Sequence, residues 1–144
     1  ETWGAHAHGF AGVEDILAGR GLEHIYAFIA SESGQPQEKK AADIMAALAA
    51  GDPLARDTAR LYVHILGAEL GNLALIHLPF GGLYLIGGVA RAMTPYMQEF
   101  GLTEAFRDKG RFGDFMHSFS LHVVEDDFAA LTGCAAYLAN GGRG

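Results

Sequence analysis

Gly81-Gly82-Leu83-Tyr84-Leu85-Ile86-Gly87-Gly88-Val89 is the stretch that decides the fold class of this chain. Four consecutive apolar residues stand between two glycine pairs. The run is too short for a helix, and its length and flanks predict a fully buried strand of the kind found in parallel sheets. The second glycine pair leads into a helical pattern from about Val89 to Phe100, with Ala90, Met93, Met97 and Phe100 on one side and Pro95 as a bend point. A strand, a glycine turn and then a helix is the signature of an α/β arrangement.

Upstream of this stretch, Asp52-Pro53 is a strong helix start. The carboxylate can cap free N–H groups, and proline suits the first helical position, where its missing N–H costs nothing. Leu54, Leu61, Tyr62, Ile65, Leu66 and Leu73 mark a long, largely buried helix running to about His77, where Pro79 stops it. Between Leu70 and Ala90 lie 21 residues without Asp, Glu, Lys or Arg, formally enough to span a bilayer. Pro79, Gly81-Gly82, Asn72 and His77 interrupt that run, so a buried helix, a turn and a buried strand account for it better. Further back, Val13 to Ala18 reads as a short helix stopped by Gly19. A second helix follows with Leu22, Ile25, Tyr26 and Ile29 on one face. Ser31 to Gln37 has loop composition. Ala41 to Ala50 reads as a helix ended by Gly51.

Downstream, short helices are expected near Thr103 to Phe106 and Phe112 to His117, then a second strand at Leu121-His122-Val123-Val124. A last helix begins near Phe128, with Leu131, Ala135 and Leu138 on its apolar face, and ends at Ala139 or Asn140. Two strands do not make a stable sheet alone. Either neighbouring strands come from sequence outside this chain, or helices cover the pair on both faces. No internal repeat and no low-complexity tract is present.

Composition narrows the functional classes. The chain has 144 residues, a length expected of one domain, and ordinary globular composition, with half of its residues hydrophobic. Its net charge of −7 and lack of a basic patch argue against nucleic acid as a partner. The single cysteine, Cys134, rules out an internal disulfide and a cysteine-built metal site; it reads as a small buried residue in an Ala-rich helix. The single cysteine also fits a reducing cytoplasm. No signal peptide opens the chain, and neither does a methionine; Glu1-Thr2-Trp3-Gly4 reads as the middle of something longer. No phosphate-loop, nucleophile-elbow or His-Glu-x-x-His zinc motif occurs. His6 and His8 are two apart, so on a helix they diverge, and they read as surface or capping residues rather than metal ligands.

Two places could carry chemistry. Gly87-Gly88, between a strand and a helix, would let a nucleotide approach the backbone beside free N–H groups, although tight strand-to-helix turns also use glycine for steric reasons alone. Glu14, at a helix start, is either an acidic residue favoured by the helix dipole or a carboxylate that accepts hydrogen bonds from sugar hydroxyls.

Taken together, four segments resemble the bacterial glucokinases of the non-ROK group. They are Glu14-Asp15-Ile16-Leu17-Ala18-Gly19-Arg20-Gly21-Leu22 with Ile25-Tyr26, Gly71-Asn72-Leu73-Ala74-Leu75, the opening Gly81 to Val89 stretch, and Phe106-Arg107-Asp108-Lys109-Gly110-Arg111-Phe112. Their order and spacing cover nearly the whole chain. The resemblance implies an α/β fold that is the C-terminal lobe of an actin-like ATPase (ribonuclease H-like), related to hexokinase, helix-rich with a few buried strands and incomplete. On this reading residues 1–144 are a fragment of the C-terminal, larger domain of a glucokinase-like sugar kinase.

The resemblance also implies ATP-dependent phosphorylation of glucose to glucose 6-phosphate by the parent protein, with Mg²⁺. Glu14 matches the glutamate that binds glucose hydroxyls, and Gly87 and Gly88 match the adenosine motif of the ATP site. Asp108 to Phe112 read as structural, with Lys109 and Arg111 pairing with acidic neighbours. No residue of this chain is assigned a catalytic role, and no metal ligand is identified. The phosphate loop, the catalytic aspartate and a second glucose motif all lie upstream of Glu1 in such kinases, so the chain alone is expected to be inactive. The family is commonly dimeric, which adds a homodimer to the candidate partners beside glucose and ATP. Alternatives are a non-catalytic interaction or regulatory domain that keeps the fold, and a kinase for another hexose. The family's serine after the leucine is Ala18 here, and its Pro-Gly-Leu-Leu-Gly-Ala-Ala ending is replaced by Ala129 to Ala135, departures that loosen the match in both places.

Overall fold

The computed structural model describes residues 12–126 and 128–141. The expectations for Glu1 to Gly4 and for His6 and His8 lie outside the described residues. Seven helices and two strands follow one another among those described: α1 (Glu14–Leu17), α2 (Gly19–Glu32), α3 (Ala41–Ala49), α4 (Pro53–His77), β1 (Leu83–Ile86), α5 (Gly88–Met97), α6 (Leu102–Arg107), β2 (Leu121–Val124) and α7 (Ala129–Ala139).

Helix α4 is the spine. Its start forms as its sequence dictates: the Asp52 carboxylate accepts a hydrogen bond from the Ala55 amide at 2.9 Å and Pro53 opens the helix. Its end is closed by Leu78 in the left-handed region, whose amide donates to the Ala74 carbonyl. Ala55, Ala59, Tyr62, Val63, Leu66, Leu70 and Ala74 are buried along it and meet α2, α3 and α6. Helix α2 contributes Leu22, Ile25, Tyr26 and Ala30 to the same core, and α3 contributes Ile44 and Leu48. The first turn of α3 is capped from a distance, because Lys40 has no capping side chain. Glu23 of α2 accepts from the Ala41 amide at 3.0 Å and pairs with Lys40 at 3.1 Å. Burial pushes the Glu23 carboxyl upward, but the amide and the Lys40 charge outweigh it and hold the group below its ordinary range.

The expected strands form and pair in parallel, with Leu83 opposite Leu121 and Ile86 opposite Val124. The expectation of a fully buried strand needs correction. Leu83 and Leu85 face the core, whereas Tyr84 and Ile86 are about 60% exposed, because no described element covers the outer face of the pair. The sheet is therefore covered on one face only, by α5 and the helical core. Helix α7 departs likewise: Leu131 and Leu138 are exposed, none of its residues is buried, and Cys134, read as buried, is exposed. An apolar face forms there as the spacing predicts, but no described element packs on it.

Smaller corrections concern boundaries. The first helix ends at Leu17; Ala18 is extended, and Gly19 opens α2 rather than closing α1. Helix α2 continues to Glu32, into the stretch read as loop, and α5 stops at Met97, with Phe100 buried in the turn beyond it. The helix expected at Phe112 to His117 is replaced by two single 3₁₀ turns, Gly110–Phe112 and Phe115–Ser118, which suit a segment dotted with glycine. Among the described residues no helix is long and apolar enough to cross a membrane.

Candidate sugar and nucleotide site

Glu14 sits in the first turn of α1 with its side chain 77% exposed. A four-residue helix has little stability of its own, so its position depends on what holds it. Gly21 of α2 lies directly against the backbone of Ile16, and a Cβ there would overlap the Ile16 carbonyl. This is why position 21 is glycine: α1 folds back onto α2 at backbone contact. The buried Tyr62 hydroxyl of α4 donates to the Leu17 carbonyl at 3.1 Å. The Asp15 carbonyl accepts from His24 Nδ1 at 3.2 Å, which places the proton on Nδ1. Asp15 in turn accepts from the Gly12 amide at 3.0 Å.

Arg20 faces both acids of α1, with one nitrogen 3.1 Å from Glu14 Oε1 and Nε 3.7 Å from Asp15 Oδ1. Glu14 thus presents a solvent-facing carboxylate on a short helix tied down at three points. Sequence reading singled out Glu14 but not Arg20, His24 or Tyr62. The Gly-Arg-Gly spacing was the available signal for Arg20; Tyr62 joins from 45 residues away, a separation no local pattern reveals.

Burial pushes the Tyr62 phenol above its ordinary value. Folding therefore favours the neutral phenol, and its contribution to stability is complete below about pH 10, the unfolded value. It is lost as pH rises towards the raised folded value. Tyr62→Phe is expected to cost about 1 kcal/mol near neutrality through the unpaired Leu17 carbonyl. It should also shrink the decline in stability above about pH 10, as measured by urea unfolding of both proteins across that range. Parallel alkaline declines in the two would show that Tyr62 is not the group responsible.

Gly87 and Gly88 occupy the junction predicted for them. Gly87 has φ 124° and ψ 164°, open only to glycine, and Gly88 is the first residue of α5. No heavy atom lies within 4 Å of where a Cβ would stand at either glycine, so a ligand can reach the backbone. The strands are parallel, and their carboxyl ends carry Gly87 and Glu125 side by side, at the edge where open α/β sheets bind ligands. Val89 Cγ2 lies 3.8 Å from the Cβ position of Gly19, so the start of α5 meets the start of α2.

Lys109 does not pair with acidic neighbours as expected. Its ammonium donates to the Ala68 carbonyl at 2.8 Å and to Asn72 Oδ1 at 2.9 Å, locking the loop after α6 onto α4. The lysine is drawn there because Gly71 leaves room for its side chain. Arg111 lies over the Phe112 ring, 4.9 Å from its centroid.

The protein family described as Glucokinase matches residues 5–141. Glucokinase from Mesorhizobium japonicum (strain LMG 29417 / CECT 9101 / MAFF 303099) is 38% identical over 129 residues, covering 88% of this chain and 38% of that protein. Glucokinase from Yersinia pestis (strain Pestoides F) is 35% identical over 132 residues, covering 90% of this chain and 41% of that protein. The crystal structure of glucokinase from an Antarctic psychrotroph aligns with a TM-score of 0.83 at 28% identity, covering 92% of this chain and 42% of that one. The chain spans about two fifths of the length of the relatives it matches. With the family match running from residue 5 to residue 141, and relatives of that name 35–38% identical over about nine tenths of its length, the chain belongs to the glucokinase family.

Proposed function

We propose that this chain is part of the C-terminal domain of a kinase that phosphorylates glucose with ATP to give glucose 6-phosphate, in the cytoplasm and on an actin-like ATPase fold. The observation that carries the reading is an exposed carboxylate at Glu14 on a tethered helix together with an open glycine junction at Gly87-Gly88, in a chain whose family is glucokinase.

In this proposal Glu14 accepts hydrogen bonds from sugar hydroxyls and fixes how the sugar lies. Gly87 and Gly88 admit the adenosine moiety against the backbone, and the first amides of α5 face it. ATP supplies the transferable phosphoryl group, its charge partly neutralised by Mg²⁺. Mg²⁺ is commonly held through substrate phosphates with few protein ligands. No general base is assigned to this segment: Glu14 binds and orients, and the proton of the attacking hydroxyl goes to a group elsewhere in the parent. The exposed outer face of β1 and the apolar surface of α7 are surfaces for the remainder of that longer protein to cover.

The test is glucose-dependent ADP release by the full-length parent, run beside this chain and across several hexoses. Activity in the parent only, fastest with glucose, is the expected result. A folded but silent parent would move the assignment to a non-catalytic relative, and faster turnover of another hexose would change the substrate.

A further inference from the structure

We propose that Arg20 is a positioning residue for the sugar-binding carboxylate, an inference that rests on the reading of Glu14 above. A guanidinium nitrogen lies 3.1 Å from Oε1 of Glu14, whose side chain is otherwise 77% exposed. The Arg20 Nε faces Asp15 at 3.7 Å, and Asp15 is itself held by the Gly12 amide and, through its carbonyl, by His24.

The arrangement solves a specific problem. A glutamate on a four-residue helix, with its side chain largely in solvent, samples many rotamers, and ordering it on sugar binding is costly. Arg20 stands on α2, a helix anchored in the core by Leu22, Ile25 and Tyr26. Its planar fork transfers the rigidity of that helix to one oxygen of the carboxylate and leaves the other directed to the ligand. One flanking glycine serves the same end. Gly21 allows α1 to approach α2 at backbone contact, and that approach brings Glu14 within reach of Arg20. As a surface pair it contributes little to stability, so its effect belongs to binding.

The experiment uses the full-length parent with Arg20→Met, Arg20→Lys, Glu14→Gln and the double variant Glu14→Gln/Arg20→Met. Arg20→Met is expected to raise the KM for glucose roughly three- to tenfold, within the range of coupling between contacting residues. The kcat, the KM for ATP and the thermal midpoint should stay close to wild type. Arg20→Lys should recover part of the loss, since a point charge replaces a fork. In the Glu14→Gln background the Arg20→Met change should have almost no further effect, because its route runs through Glu14. Loss with Glu14→Gln but none with Arg20→Met would overturn the role of Arg20 and leave the sugar site standing. A lowered KM in Arg20→Met would overturn it too, showing a guanidinium that competes with the sugar for the carboxylate. No effect of Glu14→Gln would instead remove the sugar site on which the inference rests.

Discussion

Glutamine in place of Glu14 is expected to lower kcat/KM for glucose in the full-length parent about ten- to a hundredfold. A hydrogen bond to a charged acceptor contributes about 1.5–3 kcal/mol, and each decade corresponds to about 1.4 kcal/mol. Glutamine keeps the size of the side chain and one carbonyl oxygen, so the loss isolates the charge and the second acceptor. The fold should not respond: the side chain is exposed, and its ion pair with Arg20 lies at the surface. The measurement is steady-state glucose kinetics at saturating ATP, with the KM for ATP and the thermal midpoint as controls. Unchanged glucose kinetics would take Glu14 out of the sugar site.

The largest expected effect on stability belongs to Gly71→Ala. Gly67 and Gly71 lie on the face of α4 that meets α6, and both are buried. A Cβ at Gly67 would stand 2.7 Å from the Leu102 carbonyl oxygen and 2.8 Å from Ala105 Cβ; at Gly71 it would overlap the Phe106 carbonyl oxygen and Lys109 Cε. Lysine can swing away, but the Phe106 carbonyl is part of α6 and cannot move without it. Overpacking of this kind costs about 1–3 kcal/mol, and displacing Lys109 also loses its bonds to Ala68 and Asn72. A midpoint lower by roughly 8 °C is expected for a chain of this size, read by thermal unfolding. Gly133→Ala in α7 is the matched control. Nothing stands within 4 Å of its Cβ position, so the gain in helix propensity, about 0.5–1 kcal/mol, should appear with no steric cost. Equal effects at the two sites would show that the α4–α6 contact is looser than its geometry.

Much of this was legible in residue order because local chemistry decided it. Asp52-Pro53 starts α4 through a cap and a preset φ, Gly51 follows α3 with φ 81°, and the glycine pairs delimit β1. These are short-range effects, complete within one helical turn or one strand. The resemblance located Glu14, Gly87 and Gly88, and the structure places them at a helix start and at a strand-to-helix junction. What the sequence could not decide was covering and tethering. Leu131 and Leu138 have helical spacing whether or not anything packs on them, and Leu83 to Ile86 is apolar throughout although only alternate residues face the core. Burial depends on which elements meet, a long-range outcome that periodicity does not encode.

The same holds for the contacts that aim Glu14. Tyr62 reaches Leu17 across 45 residues, and Gly21 meets Ile16 only because the extended Ala18 folds α1 back. By itself the sequence determined where helices and strands begin and end to within a few residues, the family, and the types of residue offered to a ligand. Only the tertiary structure decided which surfaces stay uncovered and which distant groups hold the Glu14 helix, because those depend on how helices pack, and packing is set by the shapes of all the partners at once.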